Sequence, residues 1–161
     1  LVAWKQDLGA PDPFVRMLAA LALCELDSAG AKPAMRVLFE SFDVPEERER
    51  AAVRHALLRI APDHLPALVE VLVGMDAERQ ALRKPVLWVL EQQGERVVEP
   101  LLAALRRAPQ DARVGLEELL IRVARADRST LERVVEAYER ADASERSRLA
   151  DVLAAARQAE K

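Results

Sequence analysis

Asp12-Pro13-Phe14-Val15-Arg16-Met17-Leu18-Ala19-Ala20-Leu21-Ala22-Leu23-Cys24-Glu25-Leu26 decides the fold. Small and apolar residues recur in it at three- and four-residue spacings, which make one face of a helix, and Arg16 stands near the start. The pattern returns four times, marked by Arg50, Arg83, Arg113 and Arg146, at steps of 34, 33, 30 and 33 residues. Three residues after each Arg stand Ala19, Val53, Val86, Leu116 and Leu149. Seven after it stand Leu23, Leu57, Leu90, Leu120 and Leu153. Ten after it the row reads Leu26, Ile60, Gln93, Val123 and Ala156. A fixed period of this length predicts stacked helical units that bury their apolar faces against one another.

A second helix precedes each later copy. Pro33, Pro66 and Pro100 fall at or near its first turn, where a missing N–H costs nothing. Met35-Arg36-Val37-Leu38-Phe39, Leu68-Val69-Glu70-Val71-Leu72 and Leu101-Leu102-Ala103-Ala104-Leu105 follow them. The fourth copy, Leu131-Glu132-Arg133-Val134-Val135, has Thr130 in place of Pro. The unit is a helical hairpin of just over thirty residues.

The Pro-x-Leu-Leu type first helix, the acidic turn and the form Val-Arg-x-x-Ala-Ala-x-Ala-Leu-x-x-Leu, met by Val15 to Leu26, resemble the HEAT repeat, and more closely its bacterial variety, the type found in bilin lyases. The resemblance covers the whole chain. It implies an all-α, right-handed α-solenoid of about five antiparallel hairpins, with repeats at about 1–30, 31–61, 62–93, 94–126 and 127–161 in one domain, 1–161. Pro85 and Gly115 depart from the pattern and predict a kink or a late start in their helices.

Along the chain, a short helix over 1–9 with Val2, Trp4 and Leu8 as contacts leads to a turn in which Asp12 caps the next helix. Helix 14–26 is apolar nearly all round, which predicts burial on both flanks, with partial exposure as the alternative if nothing precedes Leu1. Helices are expected over 33–42, with Met35, Leu38, Phe39 and Phe42 inward, and over 46–60, whose early carboxylates suit the helix dipole. Further helices are expected over 63–75, 77–93, 95–108, 111–126, 128–141 and 144–159. Gly94 stops one of these and Ser144 caps the last, whose polar surface fits a terminal repeat facing water. Val71, Val73 and Met75 are read as core, with an apolar docking patch as the alternative.

Composition narrows the function. Half of the 161 residues are hydrophobic but only 4% aromatic, and the net charge is −3. That balance offers no general lure for nucleic acid or anionic lipid. Met17 to Cys24, the longest apolar run, is too short to cross a bilayer. No signal peptide is evident, and one cysteine fits a reducing compartment, so the expected location is cytoplasmic without membrane insertion. Because it opens on Leu1 without Met, the chain is read as a fragment or a processed product.

No catalytic set stands out. Cys24 sits on an apolar helix as a small core thiol. His55 and His64 lack a metal spacing, no serine has a nucleophile-elbow context, and there is no phosphate loop. The chain is therefore read as non-enzymatic, with no cofactor and no metal. Arg16, Arg50, Arg83, Arg113 and Arg146 are expected to form a structural ladder, each paired with a turn acid such as Asp12, Asp43, Asp76, Asp111 or Asp142. The alternative is an anion-binding stripe. Nine residues after each Arg, Glu25, Arg59, Gln92, Arg122 and Ala155 form a row of mixed charge on the concave face. The first four are the candidate contacts for a protein or peptide partner.

Two rivals come with the resemblance. HEAT-like alkylpurine DNA glycosylases place aromatic and acidic residues in a basic cleft. Trp88, flanked by Arg79, Arg83 and Lys84, keeps a nucleic-acid reading open, with Trp4 and Trp88 as core residues being the plainer one. A bilin lyase is the second, without a residue set of its own here.

Overall fold

The computed structural model describes residues 6–26, 32–74 and 77–158, the side chains of 32 and 77–81 excepted. Val2, Trp4, Met75, Asp76 and the loop at 27–31 lie outside these. The described chain is helical and holds no strand. Its helices are α1 (Pro13–Leu26), α2 (Lys32–Glu40), α3 (Glu47–Ile60), α4 (Leu65–Val73), α5 (Ala77–Glu91), α6 (Val98–Arg107), α7 (Gln110–Ala126), α8 (Arg128–Arg140) and α9 (Ala143–Arg157). Short 3-10 turns at Ala61–His64 and Gly94–Val97 lead into α4 and α6. There the sequence reading began each helix two to three residues early.

The chain divides into two compact units, Leu1–His64 and Leu65–Lys161. In the first, α1 packs on α2 and on α3, and α2 packs on α3. In the second, the hairpins α4/α5, α6/α7 and α8/α9 pack internally. The first helices α4, α6 and α8 then touch in succession, and so do the second helices α5, α7 and α9. The core follows the register. Ala19, Val53, Val86, Leu116 and Leu149 are all buried, as are Leu23, Leu57, Leu90, Leu120 and Leu153. The third row is buried at Ile60, Val123 and Ala156, but Leu26 is exposed and Gln93 half-buried.

Local chemistry explains the ends. Asp12 accepts from the Phe14 N–H at 2.8 Å, as expected of a helix cap. α5 ends at Glu91, and Gly94, at the left-handed φ +57°, opens the 3-10 turn that follows. At α8, Asp127 accepts from the Thr130 N–H (3.1 Å) and hydroxyl (3.0 Å) and from Ser129. Thr130 is fully buried, so its hydroxyl completes a cap where the other copies carry Pro. The expected Ser144 cap is corrected: Asp142 caps α9, accepting from the Glu145 N–H at 2.9 Å. These hydrogen bonds hold both capping carboxyls below the usual carboxylate range.

Neither irregular residue interrupts its helix: Pro85 lies within α5 and Gly115 within α7. Burial of α1 on both flanks is also corrected. Met17, Ala20 and Cys24 are enclosed, while Phe14, Val15, Leu18 and Leu26 are 38–62% exposed. Val71 and Val73 are half-buried, beside the fully packed Leu68, Val69 and Leu72.

Candidate functional site

The two rows named from the sequence make different contacts from those expected of them. Arg16 donates to the carbonyls of Ala10 (2.8 Å) and Pro11 (3.1 Å), and Arg50 to that of Val44 (3.2 Å). Arg146 donates to the Ala141 carbonyl at 2.9 Å and reaches those of Tyr138 and Glu139 at 3.4 Å. Each curls back on the turn before its own helix, where carbonyls lack ladder partners. Arg113 reaches only Gln110 Oε1 (3.4 Å), and its Nε is buried without a partner. Among the described residues none of the five joins an ion pair, and those with partners hold carbonyls or an amide; Asp76, the acid expected near Arg83, lies outside the described residues. A five-donor guanidinium satisfies several carbonyls at once, and Asp12 and Asp142 are engaged in caps.

Ion pairs between neighbouring repeats occur in the row nine residues on. Arg59 of α3 meets Glu25 of α1 at 2.7 Å and also donates to the Cys24 carbonyl. Arg122 of α7 meets Glu91 of α5 at 2.9 Å. The fourth candidate, Gln92, is exposed in the turn past α5, and Glu91, one residue earlier, takes its expected place. Exposed pairs of this kind are each worth at most about 1 kcal/mol. Arg125 binds the Ala155 carbonyl of α9 at 2.6 Å, the same cationic cover of a neighbouring helix end that Arg59 gives α1.

Four of the residues named from the sequence, Arg83, Lys84, Trp88 and Arg122, meet in one place. Arg83, Lys84, Leu87, Trp88 and Glu91 of α5 line an open cleft of about 440 Å³ with Arg122 of α7. Leu87 and Trp88 are half-buried and form its apolar floor. The Arg83 guanidinium lies across α7 at Gly115, where an added Cβ would stand 2.7 Å from Arg83 Nη2. Sequence reasoning saw Gly115 as a flaw in a helix. An isolated helical glycine beside a long cation on the next repeat is the signal that could have found this contact.

Cys24 is fully buried, and burial pushes its thiol up to about 11, against the lowering effect of Arg59 and with a small further rise from Glu25. A thiol so held is no nucleophile at neutral pH. His55 is exposed, and His64 keeps its Nε2 buried without a partner. Among the described residues no group of three or more His, Cys, Asp or Glu could hold a metal ion, and no helix is long and apolar enough to cross a membrane. No protein-family model matches the chain, and no curated protein is similar to it.

Proposed function

We propose that this chain is a non-catalytic, HEAT-like repeat scaffold, a single solenoid array that holds a protein or peptide partner on its second-helix face. The layered packing of α4, α6 and α8 beside α5, α7 and α9 supports the array. The observation that carries the binding role is the α5/α7 cleft. There an aromatic and an aliphatic side chain lie open between cations, the composition of an interface anchor point. Its open side suits an extended segment better than a small substrate that must be closed off from water.

A nucleic-acid or base-excision role is the second reading, favoured by Trp88 standing among Arg83, Lys84 and Arg122. Against it, the one carboxylate of the cleft, Glu91, is bound to Arg122 at 2.9 Å rather than poised over an open floor. A photo-crosslinking residue at Leu87, with a control at the exposed Glu132 of α8, tests the scaffold. Trapping of one protein at Leu87, lost on Trp88→Ala and reproduced with purified components, is the expected result. Equal trapping at Glu132, or none at Leu87, would refute this surface.

A further inference from the structure

Resting on the scaffold reading, we propose that the α5/α7 cleft takes a linear peptide segment in which Asp or Glu flanks a bulky apolar side chain. The apolar side chain seats on Leu87 and Trp88, and a carboxylate docks on Arg83.

Four observations converge. Arg83 is half-buried, and among the described residues it makes no hydrogen bond and no ion pair. A guanidinium with no described partner offers its planar fork of donors to a carboxylate. Gly115 leaves room for it there, since an added Cβ would stand 2.7 Å from Nη2. The local charge also opposes that of the whole chain. Among the described residues that line the cleft, the half-buried Arg83 stands beside one carboxylate, Glu91, which is already paired with Arg122, in a protein of net charge −3. Finally, the positive patch is short. Elsewhere in this unit Arg106 is bound to Glu145 at 2.9 Å, Arg107 to Glu70 at 2.8 Å, and Arg133 lies 3.6 Å from Glu95. Duplex DNA presents a charge about every 1.7 Å and rewards a long cationic track, which these pairs interrupt. A few carboxylates around one apolar anchor match both the length and the make-up of the cleft.

The test follows Trp88 emission in a Trp4→Phe variant. The probes are a short peptide of Glu and Asp flanking a Leu-Phe pair, the same peptide with Gln and Asn for the acids, and oligothymidylate. The titration is repeated by NMR on the unsubstituted protein, so that a poorly folded variant does not decide the outcome. The acidic peptide is expected to perturb Trp88 and the α5 amides, with binding that weakens as salt rises. Arg83→Glu should weaken it about tenfold or more, and a Lys-substituted peptide should then bind that variant better than the parent protein. Equal binding of the amide peptide would overturn the charge match. Tighter binding of oligothymidylate would overturn the peptide assignment in favour of a polyanion. If no probe perturbs the cleft while Leu87 still traps a protein, the acidic-peptide inference falls and the scaffold reading stands. If the trapping fails as well, both fall.

Discussion

The second-helix pair α1/α3 of the first unit and the pair α5/α7 of the second are built on one register but present different surfaces. Both are tied by an Arg–Glu pair near their C-terminal ends, Arg59–Glu25 and Arg122–Glu91. In α1/α3 four arginines have partners or ring contacts, and the exposed Arg48 stands apart from them. Arg16 and Arg50 hold turn carbonyls, Arg59 also holds a helix-end carbonyl, and Arg54 lies 4.7 Å from the centre of the Phe42 ring. In α5/α7 the register arginine, Arg83, lies against Gly115 of the neighbouring helix. What separates the two pairs is thus where the register arginine of the earlier helix lies: Arg16 holds turn carbonyls, and Arg83 lies against the neighbouring helix. The apolar rows, which the two pairs share, do not distinguish them.

The largest expected effect tests the shared part. Leu57 and Leu120 occupy one register position, one in each unit, and both are essentially fully buried. Leu57→Ala and Leu120→Ala should each cost about 2–5 kcal/mol in urea unfolding, from lost transfer energy and the cavity left behind. Costs differing by more than that range allows would break the equivalence of the two pairs. Next come the ion pairs. Arg59→Met should cost about 1 kcal/mol, because it loses the Glu25 pair and bares the Cys24 carbonyl. Arg122→Met should cost about 0.5 kcal/mol or less, as it loses one half-exposed pair. A double-mutant cycle with Glu25→Gln and Glu91→Gln separates the pair from the carbonyl bond. Equal costs would mean that the carbonyl bond adds nothing.

A further effect is confined to alkaline pH and to the first unit. The folded state raises the Cys24 thiol from 9.0 to about 11 and so binds its proton more tightly than the unfolded chain does. Stability from this source is complete below about pH 9 and is lost as pH rises through about 11. Cys24→Ala should flatten that part of the stability–pH curve, and alkylation of the native thiol should trail that of the unfolded chain. An unchanged slope, or native alkylation as fast as unfolded, would place the thiol in water.

How much of this was legible follows from what a period can encode. The three- and seven-residue offsets foretold the buried rows Ala19 to Leu149 and Leu23 to Leu153, because burial follows helix geometry alone. The Asp12 cap and the Gly94 turn were legible because each is a local backbone requirement. The partners of the arginines were not. A side chain of that length reaches a turn carbonyl six residues back, as Arg16 and Arg50 do, or a helix in the next repeat, as Arg59, Arg83 and Arg122 do. Linear spacing does not rank those acceptors. For the same reason the proposed contact row Glu25, Arg59 and Arg122 proved to be largely engaged within the protein, and Leu87 and Glu91 entered the cleft unannounced.

The sharpest probe of the contrast has the smallest expected effect on stability. Two residues after its register arginine α7 carries Gly115, where α3 carries the exposed Ala52. Gly115→Ala should gain about 0.5–1 kcal/mol of helix propensity. Against this the new Cβ would stand 2.7 Å from Arg83 Nη2. That atom is the free end of a long side chain, so it can swing away at little cost, and the unfolding free energy should stay level or rise slightly. The surface should not stay level: with Arg83 displaced, Trp88 emission should shift and the acidic peptide should bind several-fold more weakly. Ala52→Gly is the mirror experiment. It should lose about 0.5–1 kcal/mol and leave Arg16 on the Ala10 and Pro11 carbonyls, since those acceptors already hold it. If Gly115→Ala instead left Trp88 and peptide affinity untouched, the room left for Arg83 would be incidental. The difference between the two helix pairs would then rest on Leu87 and Trp88 alone.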